Sequence, residues 1–228
     1  MNSTNKTAIL VFAGSAQQDA QQKGFANGEV LFHALTKETL RKVERSGLPY
    51  FHSTELEQQG DSFGVRFVHA IQEIFSKGFD SIITIGNDSP QLKTKHLVLA
   101  QQQLALGHSV LGPSLDGGIY LMGLHKSQFD AQRFLDLPWQ RFALFKRIFQ
   151  LVQRTTTTVY RLPVLADIDS LNDFLRLSNF VKSVSLHLLA LVDLFIATLF
   201  WQPARLLGKL VGGYTTILKN KGSPVPSL

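Results

Sequence analysis

Short, mostly apolar segments that recur along the first 180 residues are the feature that most limits what this chain can fold into. They fall at 7–13, 48–52, 81–86, 109–111, 119–124 and 157–162, and most are near-continuous apolar runs. Runs of this kind are expected of strands covered on both faces, because a strand with one wet face alternates apolar and polar residues. Stripes of helical period lie between them. Across 63–77 the residues Phe63, Phe67, Ala70, Ile71, Ile74 and Phe75 recur at helical spacing, and Gly78 follows as a stop. A second stripe, 94–106, carries Leu97, Ala100 and Leu104 and ends at Gly107, a C-terminal cap. A third, 140–152, carries Phe142, Phe145, Phe149 and Val152. This alternation predicts an α/β protein with a mostly parallel sheet and helices on both faces.

A chain of 228 residues has room for one such domain and an appendage. It contains no cysteine, which excludes a disulfide framework, a zinc–thiolate site and a cysteine nucleophile. The seven histidines are scattered without metal-ligand spacing. The opening MNSTNKTAILVFAG has an apolar run too short for a secretory signal and reads as a first strand, so a cytoplasmic protein is expected.

The net charge of +6 is uneven. From position 181 onward Lys182, Arg205, Lys209, Lys219 and Lys221 stand against Asp193, giving +4 and leaving +2 for the first 180 residues. The body lacks interleaved basic and aromatic residues, so a nucleic-acid partner is not expected. The segment 184–201 is nearly all apolar, with Lys182, Ser183, His187, Asp193 and Thr198 confined to one arc of a helical wheel. Its Leu, Ile, Val and Phe residues favour membrane insertion by about −4 kcal/mol against about +3 for Asp193, too near balance to require spanning. Two alternatives stand: an amphipathic helix on an anionic membrane surface, with the basic residues behind it, or a helix packed on the body or across a homodimer interface.

Two acids stand out. The strand SIITIG delivers Asp88 into GNDSPQL, and Asp116 lies within GPSLDGGIYLMG. Ligands of open α/β sheets bind beyond the carboxyl ends of the strands. Carboxylates there suit a hard divalent cation that shares its shell with substrate phosphates. Each Asp also fits an ordinary turn or cap.

In order and spacing, QQGDSFGVRF, IITIGNDSPQL, VLGPSLDGGIYLMGL, LPWQ and ADIDSLNDF resemble bacterial glycosyltransferase-like proteins related to the phospholactate guanylyltransferases. These belong to the GT-A-like nucleotide-diphospho-sugar transferase superfamily. The resemblance covers roughly Thr7 to Leu175 and implies a GT-A-like (Rossmann-like) domain over 1–180, whereas the apolar and basic residues beyond it themselves read as a C-terminal amphipathic helical tail over 181–228. It further implies a metal-dependent transferase that takes a nucleotide sugar or a nucleoside triphosphate, with Mg²⁺ or Mn²⁺ as cofactor and an acceptor the motifs do not identify. By the same resemblance Asp88 is the principal metal ligand and Asp116 its partner beside the substrate, while Gly117 and Gly118 allow close approach of backbone to ligand. Arg66 matches a GxR segment that reaches phosphate or an acidic acceptor. Asp167 and Asp169 match an acidic pair, although turn and capping roles also account for them. Asp116 and Asp169 are the candidates for a general base. Trp139 reads as packing rather than as a platform for a base.

The chain departs from that family after its first strand. Relatives carry a phosphate-binding segment of the type APxPGxVKTRL, whereas this chain has AGSAQQDAQQKGF. Ala13, Gly14 and Ser15 can still offer backbone N–H groups to a phosphate, with Lys23 as the cation. The alternative is a glutamine-rich solvated loop that has lost the nucleotide clamp, in a non-catalytic binding or scaffold protein. Ser170 and Asp173 have the spacing of a capping box.

Overall fold

Where the sequence packs Ile, Leu and Val into unbroken runs, the chain forms buried strands. They are β1 (Thr7–Phe12), β3 (Ser81–Ile85), β4 (Ser109–Pro113) and β5 (Ile119–His125), while β2 (Tyr50–Ser53) and β6 (Val159–Arg161) are partly exposed edge strands. The structure, a computed structural model, describes residues 6–25, 27–154, 158–170, 173 and 184–200. Among these residues the six strands form one sheet in the order β2-β1-β3-β5-β4-β6. Pairing is parallel except at β5, which runs antiparallel to both of its neighbours. The mostly parallel α/β architecture expected from the sequence is the one observed.

The helices are α1 (Ala16–Gln22), α2 (Glu29–Glu44), α3 (Phe63–Ser76), α4 (Thr94–Ala105), α5 (Ala131–Leu135), α6 (Leu144–Gln153) and α7 (Leu186–Phe200). Successive side chains of a strand point to opposite faces, and β1 divides accordingly. Ala8 and Leu10 pack with Phe67, Ile71 and Ile74 of α3, Phe134 of α5 and Ile148 and Val152 of α6. Ile9 and Val11 pack with Val43 of α2 and Leu97, Ala100 and Leu104 of α4. Both faces of the sheet are therefore covered.

Three boundaries differ from the sequence reading. The stretch after β1 is not a solvated loop: Ser15 caps a short helix, α1, by accepting the Gln18 backbone N–H at 3.3 Å. The third helical stripe begins at Leu144 rather than at 140, because Gln140 adopts a φ of 59° that no helix tolerates. The tail helix begins at Leu186, and the expected domain boundary at 180/181 lies outside the described residues. So do Lys182, Arg205, Lys209, Lys219 and Lys221.

Within its described part the tail is a packing element. Val184, Leu188, Val192 and Phe195 are buried with Ala20, Phe25, Leu31, Phe32, Leu35 and Ile168, and the Ser185 hydroxyl donates to Glu38 Oε2 at 2.6 Å. Among the described residues no helix is long and apolar enough to cross a membrane. The strands that matter for function end at one edge. Because β5 reverses direction, the β4–β5 turn with Asp116 lies at the same end as the carboxyl ends of β1 and β3.

Leu188 is fully buried in the α1–α2–α7 cluster. Leu188→Ala should lower unfolding stability by about 2–5 kcal/mol, the usual cost of emptying such a site. Urea denaturation measures this, and an unchanged midpoint would mean that α7 does not pack on the body in solution.

Candidate functional site

The turn after β3 is built around Asp88. Gly86 leaves room for the Asp88 carboxylate, since a Cβ there would lie 2.9 Å from Asp88 Oδ1. Asn87 points the other way and donates through Nδ2 to buried Asp19 Oδ2 at 2.7 Å and to Thr36 Oγ1 at 2.9 Å, tying the turn to α1 and α2. Lys42 of α2 donates to the Pro90 carbonyl at 2.9 Å. Beyond β6 the chain continues beside β4, with Leu165 N–H donating to Pro113 O, and then crosses to the β3 turn, where Ile168 N–H donates to Asp88 O at 2.9 Å. That crossing brings Asp167 and Asp169 to Asp88.

A cavity of about 490 Å³ opens at these strand ends. Its lining includes Ala13, Gly14, Lys23, Arg66, Asp88, Asp116, Gly118 and Asp169, which the sequence singled out, Asp167, which the resemblance paired with Asp169, and Asp19, Asn87 and Arg141, which it did not place in the site. Ser15 and Gly117 fall outside that lining. The Ser15 N–H donates to Glu55 Oε2 at 2.6 Å, and its hydroxyl is also bonded to Glu55, so a carboxylate of the protein holds the N–H expected to serve a phosphate. Gly117 has a φ of +87°, and a Cβ on it would lie 2.3 Å from the Phe142 carbonyl. The close approach made possible by this glycine is therefore by the 140–143 segment, not by a ligand. Gly118 makes room for the Asp116 carboxylate, which accepts the Gly118 N–H at 2.8 Å and the Ser114 hydroxyl at 2.7 Å. Gly14 similarly accommodates the side chains of Gln18 and Asp19.

Lys23 lies at the centre of the acids. Its Nζ is 3.3 Å from Asp88 Oδ2 and 2.9 Å from Asp169 Oδ1, donates to the Ile168 carbonyl at 2.6 Å, and sits 5.8 Å from the centroid of the Phe32 ring. Burial alone would lower its pKa, but the Asp88 and Asp169 carboxylates outweigh this and raise it above the ordinary 10.5. Burial also raises Asp19, partly offset by the Asn87 hydrogen bond and by Lys23. Asp167, which accepts from the Ser89 hydroxyl, is pushed up to about 7 by burial and then by the nearby charge of Asp88. The lining is thus acidic around Lys23, while Arg66 and Arg141 are the other cations. Trp139 packs as expected: its ring centroid lies 4.9 Å from that of Phe67, and its indole N–H donates to Phe134 O at 2.8 Å. Asp173 accepts from the Ser170 N–H at 2.9 Å, the reciprocal bond of the expected capping box.

Among the described residues no three His, Asp or Glu side chains are arranged to hold a metal ion unaided. The Lys23 ammonium nonetheless marks a cation position. Asp88 Oδ2, Asp169 Oδ1 and Ile168 O converge on it, and hard oxygens of this kind suit Mg²⁺ or Mn²⁺ when substrate phosphates and water complete the shell.

With that geometry in view, residues 16–141 match a family described as "Uncharacterized protein conserved in bacteria (DUF2064)", and the chain belongs to that family. No curated protein matches the sequence. Among solved structures the chain is similar to a candidate nucleotide-diphospho-sugar transferase from Desulfovibrio desulfuricans, at 22% identity and a TM-score of 0.71, covering 86% of this chain and 98% of the other. This likeness is one of fold. Weaker likenesses reach Rv0371C of Mycobacterium tuberculosis in complex with manganese (12% identity, TM-score 0.42, 77% and 100% coverage). They also reach a cytidylyltransferase of Leptospira borgpetersenii (14% identity, TM-score 0.43, 82% and 94% coverage). These two are too slight to bear on the chemistry of this chain.

Asp167 provides a pH test of the acid cluster. Its carboxyl is raised in the folded state from the ordinary 3.8 to about 7, so the fold binds its proton more tightly than the unfolded chain does. The stability it contributes is fully present below about pH 4 and lost as pH rises through 7. Asp167→Asn should remove that loss. The melting temperature of the variant, relative to wild type, should therefore rise between pH 4 and pH 8, and a difference independent of pH would show that Asp167 is not raised.

Proposed function

We propose that this cavity binds the diphosphate of a nucleotide sugar, or the phosphates of a nucleoside triphosphate, together with a divalent cation, and that the protein is a transferase. The observation that carries the reading is the convergence of Asp88, Asp169 and the Ile168 carbonyl on a position already held by a positive charge, at the carboxyl ends of the strands. Support comes from a fold similar to that of a candidate nucleotide-diphospho-sugar transferase, and from the GNDSP and GPSLDGG motifs. The motif resemblance to relatives of the phospholactate guanylyltransferases extends the donor class to nucleoside triphosphates.

In this reading Asp88 and Asp169 hold Mg²⁺ or Mn²⁺, which supplies charge neutralisation for the leaving phosphate. The remaining work is positioning. Arg66 and Arg141 line the same cavity and offer guanidinium groups to phosphate or to an anionic acceptor. Asp116, fixed by Ser114 and the Gly118 N–H, orients the acceptor hydroxyl. Of the two candidate bases, Asp116 is the one this reading leaves free for that hydroxyl, because Asp169 is taken up by the cation. Gly14 and Ala13 line the floor beside the donor.

One observation favours a second reading. Glu55 takes the Ser15 N–H, and a second acid, Asp19, lies beside Gly14, so the segment after β1 offers carboxylates where a nucleotide clamp would offer donors. A non-catalytic binding protein follows if this crowding keeps phosphate out.

Isothermal titration with nucleoside diphosphates, triphosphates and nucleotide sugars, with and without Mn²⁺, decides between the two. Binding that requires the cation is expected. Asp88→Asn should weaken it at least roughly 10- to 100-fold, the usual cost of disturbing even an outer-shell partner of a bound metal. Equal affinity in the variant would remove Asp88 from the site, and the absence of nucleotide binding by wild type would favour the non-catalytic protein.

A further inference from the structure

We propose that Lys23 is a displaceable, built-in cation: it occupies the position between Asp88 and Asp169 in the empty protein and leaves that position when a divalent ion binds. The inference rests on the reading of the cavity as a cation and phosphate site, and it deepens that reading by stating how the site is kept in order before ligand arrives.

An ammonium has three N–H donors and no acceptor. Among the described residues Lys23 Nζ has three oxygens in reach: Asp88 Oδ2, Asp169 Oδ1 and Ile168 O. Its donors are thereby committed, and in this arrangement it has none left for a phosphate. The phosphate-binding role expected for Lys23 from sequence thus requires it to let go of the acids first. A divalent ion needs the same oxygens at about 2.0–2.6 Å, a distance at which an ammonium cannot stay beside it. Occupancy of the position by Lys23 and by a divalent ion is therefore mutually exclusive.

The chain is built to allow the exchange. Lys23 is the C-terminal cap of α1, and Gly24 follows in the left-handed region at a φ of +72° with open space around it. The four-carbon stem of a lysine is flexible, and the cavity that Lys23 lines extends to Gly14, Gln18 and Arg66. Displacement keeps the ammonium inside this cavity, where it becomes a donor to the phosphate that accompanies the divalent ion. In the empty protein the same ammonium balances charge that would otherwise drive Asp88 and Asp169 apart.

Amine acylation of the full chain with an N-hydroxysuccinimide ester, read by peptide mass spectrometry, tests this. Lys23 should be protected without metal and should be acylated at least roughly tenfold faster in saturating Mn²⁺, since its ammonium is released from Asp88, Asp169 and the Ile168 carbonyl. Lys42, held by Glu38 and the Pro90 carbonyl, should be unchanged. Lys23→Met should bind Mn²⁺ more tightly than wild type, by about tenfold or more on the same scale, as measured by electron paramagnetic resonance. Protection of Lys23 that persists while Mn²⁺ is bound overturns the proposal. So does a failure of both proteins to bind Mn²⁺. The wild-type labelling stands even if the variant does not fold. Failure of the transferase reading has a separate signature, the absence of nucleotide binding.

Discussion

A lysine ammonium among aspartates holds the functional end of this molecule together. Removing a charge from water is costly unless it is paired and hydrogen-bonded, and Lys23 meets that condition only because three separate pieces of chain meet at its Nζ. One piece is the end of α1, one is the turn after β3, and one is the segment that crosses back after β6. Each of them is placed by backbone hydrogen bonding, such as Ile168 N–H to Asp88 O, so the ion pairs sit on a rigid frame. The packing of α7 against Phe25, Phe32 and Ile168 supports that frame from behind.

Charge around this contact is unbalanced in an informative way. Asp19, Asp88, Asp116, Asp167 and Asp169 line a cavity whose cations are Lys23, Arg66 and Arg141. Burial and the neighbouring charge of Asp88 raise Asp167, so the cluster resists full ionisation by itself. Added positive charge would relieve that repulsion, which is the physical ground for proposing a cation with its phosphates rather than a free anion.

The sheet was the most legible part of the sequence, because burial on both faces writes itself as continuous apolar runs. The strand from Ser81 to Ile85 and the helix from Phe63 to Ser76 fall within a residue of their expected ends. Less legible were features set by distant partners. Asp19 sits in a glutamine-rich stretch with no local sign of burial, yet it is buried because Asn87 donates to it from 68 residues away. A separation of 78 residues likewise hides the bond of Ser89 to Asp167. Gly117 reads locally as a ligand-facing glycine, and only the folded position of Phe142 assigns its free side to the protein. The reversal of β5 could not be read from its composition, although it is what carries Asp116 to the cavity. The tail helix was ambiguous because an apolar face suits lipid and protein alike, and its partner face on α2 lies well over a hundred residues upstream.

The central claim is that the position held by Lys23, between Asp88 and Asp169, is where a nucleotide-bearing divalent cation binds. Anomalous diffraction from crystals grown with Mn²⁺ and a nucleoside diphosphate tests it most directly. A manganese peak within coordination distance of Asp88 and Asp169, with phosphate oxygens on its open side and the Lys23 ammonium moved away, is the predicted result. Manganese bound elsewhere, or nucleotide in the cavity with Lys23 still between the two aspartates, would contradict it.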